Sequence, residues 1–136
     1  MRGLSRGEEG EMKEIKFRVW NPKIKKLISW ELIIQECDRL SLLSLDGWKT
    51  MQFTGLQDKN GKEIYEGDIC KYFFYDNPIG EIDEVKYFER YAQYRLGGYP
   101  FGMDGFHDCE VIGNLYENPE LASERGEGDE PRKWKV

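Results

Sequence analysis

Apolar and polar residues alternate along the stretch E-I-K-F-R-V-W, which begins at Glu14. A period of two is typical of a strand with one buried face. Asn21-Pro22 interrupts this alternation, because proline has no N–H for a strand ladder, and Leu27-Ile28-Ser29-Trp30 resumes it. The pattern predicts a β-hairpin over 14–30. One face of its first strand is apolar and the other carries basic residues and a tryptophan: Ile15, Phe17 and Val19 against Lys16, Arg18 and Trp20.

The stretch 31–50 has a weaker period. Leu32-Ile33-Ile34 is typical of a strand, whereas the leucines between 40 and 45 are compatible with either a short helix or a strand. Asp46-Gly47 is a turn signal that closes this part of the chain.

Turn residues punctuate the middle of the chain. Asp58-Lys59-Asn60-Gly61 and Glu66-Gly67-Asp68 each combine glycine with residues that tolerate a positive φ, so two tight turns are predicted there. A strand from Ile69 to Phe74 follows and ends at Asp76-Asn77-Pro78. Carboxylates cluster in these turns, where their side chains can accept hydrogen bonds from nearby backbone N–H groups. We therefore interpret them as turn-building residues.

The second half of the chain predicts further strands. Residues 82–96 are compatible with a helix over 84–96, but their Tyr, Phe and Val content favours two antiparallel strands. The glycine-rich stretch 97–108 predicts a mobile loop, and a last strand is expected from Glu110 to Tyr116. The predicted core of the whole chain consists of Ile15, Phe17, Val19, Ile69, Val111 and Leu115.

Three motifs carry a family resemblance. They are I-K-F-R-V-W at 15–20, Q-F-T-G-L-Q-D-K-N-G-K-E-I-Y-E-G-D-I at 52–69 and V-I-G-N-L-Y-E-N-P-E-L at 111–121. In this order they resemble the YopX family, small proteins of phages and prophages, mainly of Gram-positive bacteria. The resemblance implies a mostly β fold whose C-terminal part is similar to an SH3-type barrel, and it implies no established activity.

The expected organisation is a mainly β chain with an N-terminal β-hairpin region packed on a C-terminal SH3-type small barrel. Several short strands joined by short loops are what a small closed barrel requires. The predicted parts are a disordered arm over 1–12, an N-terminal β region over 13–50, a barrel over 51–121 and a polar tail over 122–136. The arm is either a native mobile segment or an extension ahead of a start at Met12.

Composition restricts the class of protein. No apolar run approaches the roughly 20 residues of a membrane helix, and the start of the chain lacks the apolar stretch of a secretion signal. Cys37, Cys70 and Cys109 are odd in number and widely spaced, which predicts reduced thiols rather than a disulfide framework. We therefore expect a cytoplasmic protein that does not contact the membrane, and the family resemblance implies that the cytoplasm is that of a bacterial host cell.

The net charge of −6 hides two opposite regions. Residues 13–26 carry six basic groups and one acidic group, whereas residues 51–120 carry 14 acidic and 6 basic groups. The acidic region argues against phosphate binding there, since each phosphate contact needs a cation. Any interaction surface of basic and aromatic character must therefore lie on the hairpin, and its candidate residues are Lys16, Arg18, Trp20, Lys23, Lys25 and Lys26.

No residue has a convincing catalytic pattern. His107, Cys109, Asp104 and Asp108 lie close in sequence, but a structural zinc site shows paired Cys/His spacings, and here the other cysteines stand alone. The chain also lacks the common phosphate-loop, dinucleotide, serine-hydrolase and zinc-protease motifs. We predict no catalytic residue, no metal and no cofactor.

The leading functional hypothesis is a non-enzymatic phage or prophage accessory protein that acts through protein contacts. It would form a homo-oligomer, with the basic segment of one copy docked on the acidic surface of another, and a host or phage protein is a further possible partner. The alternative is a nucleic-acid-binding module that uses the basic and aromatic hairpin over 13–30. An enzyme is the least favoured reading.

Overall fold

The computed structural model describes residues 14–35 and 47–122, and within them the chain is mainly β, as predicted. The described residues form nine strands and two short helices. In chain order these are β1 Phe17–Asn21, β2 Lys26–Ile28, α1 Trp30–Gln35, β3 Lys49–Gln57, β4 Glu63–Tyr65, β5 Asp68–Phe74, β6 Glu81–Phe88, β7 Gln93–Leu96, β8 Tyr99–Pro100, β9 Phe106–Asn114 and α2 Pro119–Ala122.

The strands form two antiparallel sheets. The first has the order β2-β1-β3-β4 and the second β8-β7-β6-β5-β9. The predicted N-terminal hairpin is confirmed, with Val19 opposite Ile28 in the β1–β2 pair. Closure into an SH3-type barrel stays a prediction, with which the short antiparallel strands are consistent.

The proposed division between residues 50 and 51 falls inside β3. This strand pairs with β1 through its first half and with β4 through its second half. The first sheet therefore continues as far as Tyr65. Of the predicted terminal segments, the arm over 1–12 lies outside the described residues, and the tail over 122–136 does so from residue 123.

The strand predicted at Leu32-Ile33-Ile34 is wrong, because these residues belong to α1. Ser29 begins the helix: its Oγ accepts a hydrogen bond from the N–H of Leu32 at 3.3 Å, and its carbonyl accepts one from Ile33. A serine that caps exposed N–H groups favours a helix start. A short apolar run cannot reveal this by itself. The leucines at 40–45 and the turn residue Asp46 lie outside the described residues.

The two strands predicted within 82–96 are confirmed as β6 and β7, which pair with Val85 opposite Leu96. The loop predicted over 97–108 is too long. Gly97 and Gly98 have positive φ values and reverse the chain within two residues, so that Tyr99 pairs with Leu96 as part of β8. The last strand, β9, accordingly begins at Phe106 rather than at Glu110.

Aromatic side chains dominate the core of the second sheet. Its buried cluster contains Ile64, Cys70, Tyr72, Val85, Leu96 and Tyr99. Tyr72 is fully buried and its hydroxyl donates a hydrogen bond to the buried carboxylate of Asp83. The ring of Phe106 packs 5.0 Å from that of Tyr72. A buried tyrosine needs such a partner for its hydroxyl, and here the partner comes from the neighbouring strand β6.

The predicted core is confirmed in part. Val19 and Ile69 are fully buried, whereas Phe17, Val111 and Leu115 are only half-buried. The expected burial of Ile15 is wrong, since this side chain is 63% exposed. Ile15 precedes β1, and the side chain that turns inward there is that of its neighbour Lys16.

Asp58 joins the turn between β3 and β4 to the edge of the second sheet. Its Oδ1 accepts the N–H groups of Asn60 and Lys62 at 2.8 and 2.9 Å, and its Oδ2 accepts that of Val111 in β9 at 2.9 Å. The N–H of Lys59 also donates to the carbonyl of Cys109. The turn predicted at 58–61 is therefore confirmed, and it covers the outer edge of β9.

We expect the variant Asp58→Asn to be less stable than the wild type by about 1–3 kcal/mol near pH 7. The amide has one oxygen acceptor, and its NH₂ group cannot accept any of the three N–H donors. Burial raises the pKa of Asp58, but the three backbone hydrogen bonds outweigh it and hold the pKa below the ordinary value of 3.8. A depressed pKa means that the carboxylate's contribution is lost as pH falls below the unfolded value. In urea unfolding, the difference in free energy of unfolding between wild type and variant should therefore be present near pH 7 and should shrink below about pH 4. Exposed Asp76→Asn is the control, and equal midpoints for the two variants would contradict the role of Asp58.

Gly67→Ala should destabilise the protein more than Gly61→Ala. Both glycines have positive φ, as the predicted turns require, so each alanine costs about 1–2 kcal/mol of backbone strain. A Cβ at Gly67 would also lie 3.2 Å from the sulfur of Met51, whereas one at Gly61 meets no atom within 4 Å. Thermal unfolding of the two variants measures the difference, and a lower melting temperature for Gly61→Ala would overturn this ranking.

Candidate interaction site

The basic face predicted for β1 is directed into the protein. Nη2 of Arg18 lies 2.7 Å from Oδ1 of Asp68, and the two side chains are 11% and 1% exposed. The guanidinium also lies over the ring of Tyr65, at 4.7 Å from its centroid. Oδ2 of Asp68 accepts the N–H of Tyr65 at 2.8 Å. Burial raises the pKa of Asp68, and the charge of Arg18 opposes that shift. Arg18 is thus the internal counter-ion of a buried carboxylate.

Lys16 and Trp20 are also buried. Lys16 forms an ion pair with Glu63, and its ammonium group lies 4.9 Å from the ring centroid of Phe53. Trp20 is 8% exposed and stacks on Tyr116 at a centroid distance of 5.8 Å. The expectation that Trp20 lies on an exposed charged face is therefore wrong. A single strand shows two faces by its alternation, but it cannot show that a second layer covers both.

The other three predicted residues, Lys23, Lys25 and Lys26, are exposed. Together with Ile24 they form the segment Lys23–Lys26, which we call the basic turn. Asn21 fixes its shape: Oδ1 accepts the N–H of Lys23 at 3.0 Å and the backbone carbonyl accepts that of Lys25 at 2.8 Å. Ile24 is 59% exposed within this turn. Among the residues that the structure describes, none forms an ion pair with these three lysines.

An open groove of about 770 Å³ lies between β3 of the first sheet and the β6–β7 hairpin of the second. We call it the aromatic groove. Its lining combines aromatic and aliphatic side chains with amides and one carboxylate: Gln52, Thr54, Leu56, Glu66, Tyr87, Ala92, Gln93, Tyr94 and Phe101. This volume is within the range of sites that hold a ligand or a few side chains. The groove could not be predicted from the sequence, because its walls come from strands that are far apart in the chain.

Two tyrosines and a glutamate give the aromatic groove its chemistry. Tyr87 and Tyr94 pack edge to face at 5.0 Å, and the hydroxyl of Tyr94 donates to Oε1 of Gln52 at 3.0 Å. Burial, followed by the charge of Glu66, raises the pKa of Tyr94 to about 12. Glu66 also contributes to a raised pKa of Tyr116. The groove therefore combines aromatic surface with one carboxylate, that of Glu66.

The residues around His107 do not converge on one chemical centre. Nε2 of His107 contacts the backbone carbonyl of Tyr75, and Nδ1 lies 3.2 Å from Oδ2 of Asp108. Asp104 instead accepts a hydrogen bond from the hydroxyl of Tyr75. Cys109 packs against the core of the second sheet. Over residues 14–35 and 47–122, no group of three or more His, Cys, Asp or Glu side chains is arranged to hold a metal ion.

In the part of the chain that the structure describes, no helix is both long and apolar enough to cross a bilayer.

Comparison with known proteins gives a family and a fold. The family model described as YopX protein matches residues 10–123. The crystal structure of protein EF1440 from Enterococcus faecalis has a TM-score of 0.58 and 25% identity, over 81% of this chain and 99% of that chain. The crystal structure of protein yopX from Bacillus subtilis has a TM-score of 0.50 and 19% identity, over 81% and 98%. No curated protein matches the chain.

Replacing Arg18 tests whether the first strand is structural. Arg18→Ala leaves Asp68 buried without its cation, which should cost about 3–5 kcal/mol in the free energy of unfolding. Lys23→Ala, the control in the exposed basic turn, should change it by less than about 0.5 kcal/mol. Denaturant titration of both variants measures the difference. Unchanged stability in Arg18→Ala would mean that the guanidinium is available to a partner after all.

Proposed function

Since the chain belongs to the YopX family, we propose that it is a non-enzymatic phage or prophage accessory protein that assembles with further copies of itself. In the proposed assembly, the basic turn of one copy inserts into the aromatic groove of the next. The observation that carries the proposal is the presence, on one chain, of a preformed basic turn with an exposed isoleucine and an open aromatic groove lined by the carboxylate of Glu66.

The shape of the basic turn supports its role as the inserted element. Because Asn21 holds the backbone at Lys23 and Lys25, the turn loses little conformational entropy when it is bound. Lys25 has a φ of 56°, which directs the chain sharply back towards β2. Ile24 is therefore presented on a fixed support, as an apolar anchor of an interface should be.

The lining of the aromatic groove supports its role as the acceptor. Ile24 would bury its side chain against aromatic rings such as those of Tyr87 and Phe101. The neighbouring lysines would lie near Glu66 and near tyrosine faces, both of which attract an ammonium group. Aromatic residues supply most of the affinity in interfaces of this kind, and the charges mainly guide association.

The two surfaces differ from each other, so the contact is heterologous. A contact of this type joins copies head to tail and produces a ring if the rotation closes, or a longer chain if it does not. The charges available for it are fewer than the sequence suggests, because Lys16 and Arg18 already pair with Glu63 and Asp68 within the chain. The basic turn retains the remaining positive charge of the hairpin.

The alternative, a nucleic-acid-binding module, needs cations and aromatic rings on one exposed surface. Burial of Trp20 and Arg18 removes that combination from the hairpin. No observation favours nucleic-acid binding over assembly. A Lys25→Glu, Lys26→Glu variant distinguishes the two functions.

A mixing experiment tests the proposed contact. Ile24→Asp damages the basic turn and Tyr87→Ala damages the groove, so each variant alone should be monomeric by light scattering at concentrations where the wild type assembles. Mixed in equal amounts, they should form a heterodimer, because one retains an intact groove and the other an intact turn. Higher salt should weaken assembly only in part, since screening acts over about 8 Å at physiological ionic strength.

Ile79→Asp is the matched control, because Ile79 is 69% exposed and lies outside the groove. This variant should assemble like the wild type. A wild type that is monomeric at high micromolar concentration in low salt would overturn the proposal. So would a mixture of the two variants that remains monomeric. The nucleic-acid alternative predicts a different result for a Lys25→Glu, Lys26→Glu variant. Its oligomer mass would equal that of the wild type, and it would lose a salt-dependent binding to DNA or RNA.

A further inference from the structure

We propose that Cys109 is a peroxide-reactive thiol and that Cys70 is its resolving partner, so that β5 and β9 can be joined by a reversible disulfide. The inference concerns a site separate from the assembly contact and does not depend on it. In the structure both cysteines are free thiols.

The pairing of β5 with β9 brings the two cysteines together. Cys70 lies opposite Val111, and Lys71 lies opposite Glu110, so Cys109 is two positions along β9 from the partner of Cys70. Residues directly opposite in an antiparallel pair share a face, as do residues two apart in one strand. Cys70 and Cys109 accordingly belong to the same core cluster as diagonal neighbours.

The two thiols interact across the strand pair, and this interaction lowers the pKa of Cys109 and raises that of Cys70. The two sulfurs are therefore chemically unequal: Cys109 is the better thiolate and Cys70 keeps its proton. A thiolate is the form that reacts with peroxides, and a neighbouring thiol is the usual resolving group.

The two thiols also differ in solvent exposure, and Cys109 is the more accessible. Cys109 is partly exposed and lines an open cavity of about 330 Å³, which is also lined by Asp58, Lys59 and His107. Cys70 is fully buried behind it. A small oxidant that enters this cavity meets Cys109 first. The carbonyl of Cys109 is held by the N–H of Lys59, which fixes the strand at this point.

The proposed reaction has two steps with hydrogen peroxide as the oxidant. The Cys109 thiolate attacks one peroxide oxygen, the O–O bond breaks, and the products are a sulfenic acid on Cys109 and hydroxide, which takes the proton lost from the thiol to form water. The Cys70 sulfur then attacks the Cys109 sulfur. The S–O bond breaks, the hydroxyl group leaves with the Cys70 proton as a second water, and the S–S bond forms. Two thiols lose two electrons and two protons in total, and the peroxide is reduced to two waters.

The experiment uses the full chain with Cys37→Ser, so that Cys70 and Cys109 are the remaining cysteines. After treatment with stoichiometric hydrogen peroxide, the intact mass should fall by two hydrogen atoms and both thiols should disappear from a thiol titration in denaturant. Peptide mapping should then find the Cys70–Cys109 link, and dithiothreitol should restore both thiols. A chain that keeps two thiols under these conditions would overturn the proposal.

Single-cysteine chains test the separate roles of the two thiols. With Cys70→Ser added, Cys109 should accumulate a sulfenic acid that dimedone traps. With Cys109→Ser added instead, Cys70 should remain a thiol over the same time. Equal rates of peroxide reaction in the two variants would contradict the assigned order. Because Cys70 is in the core, the mapped disulfide of the two-cysteine chain remains decisive if Cys70→Ser does not fold.

Discussion

Two buried carboxylates from one short segment hold the sheets together. Asp58 directly follows β3, and its carboxylate accepts a hydrogen bond from the N–H of Val111 in β9. Asp68 begins β5 and forms an ion pair with Arg18 in β1. Buried carboxylates are costly unless their oxygens are paired, and in both residues the two oxygens have named partners. Loss of either contact would remove one of the links between the first sheet and the second. The position of the aromatic groove between the sheets follows from these same contacts.

The opposite charges of residues 13–26 and 51–120 form contacts within the folded chain. The basic segment and the acidic segment are complementary in charge, which by itself predicts a contact between copies. In the folded chain part of that complementarity is internal, since Lys16 meets Glu63 and Arg18 meets Asp68. An ion pair between buried groups gives little net stability, but removal of one partner is expensive. The contribution of the Arg18–Asp68 pair is therefore to fix how β1 sits on the second sheet.

Structural features that depend on a few consecutive residues could be predicted from the sequence. The alternation around Val19, the glycine turns and the β6–β7 hairpin were all predictable, because period and turn chemistry are properties of a few consecutive residues. Alternation could not show that Lys16 and Trp20 are covered, since the covering residues come from distant segments. The apolar run at Leu32-Ile33-Ile34 misled for a different reason: the serine cap, not the run, determines that conformation. The groove depends on the relation between sheets and has no signature in any one strand.

The groove and the thiol cavity are adjacent through shared walls. Leu56 and Phe101 line both. The ring of Phe101 stacks on Phe106 at 5.8 Å, and Phe106 packs on Tyr72, in the same buried cluster as Cys70. Close-packed side chains transmit a displacement rather than absorb it. Coupling between two sites nevertheless requires an element with two arrangements, and proximity alone does not supply one. Phe101 is the aromatic ring that both cavities share, so it is a common wall of two separate sites.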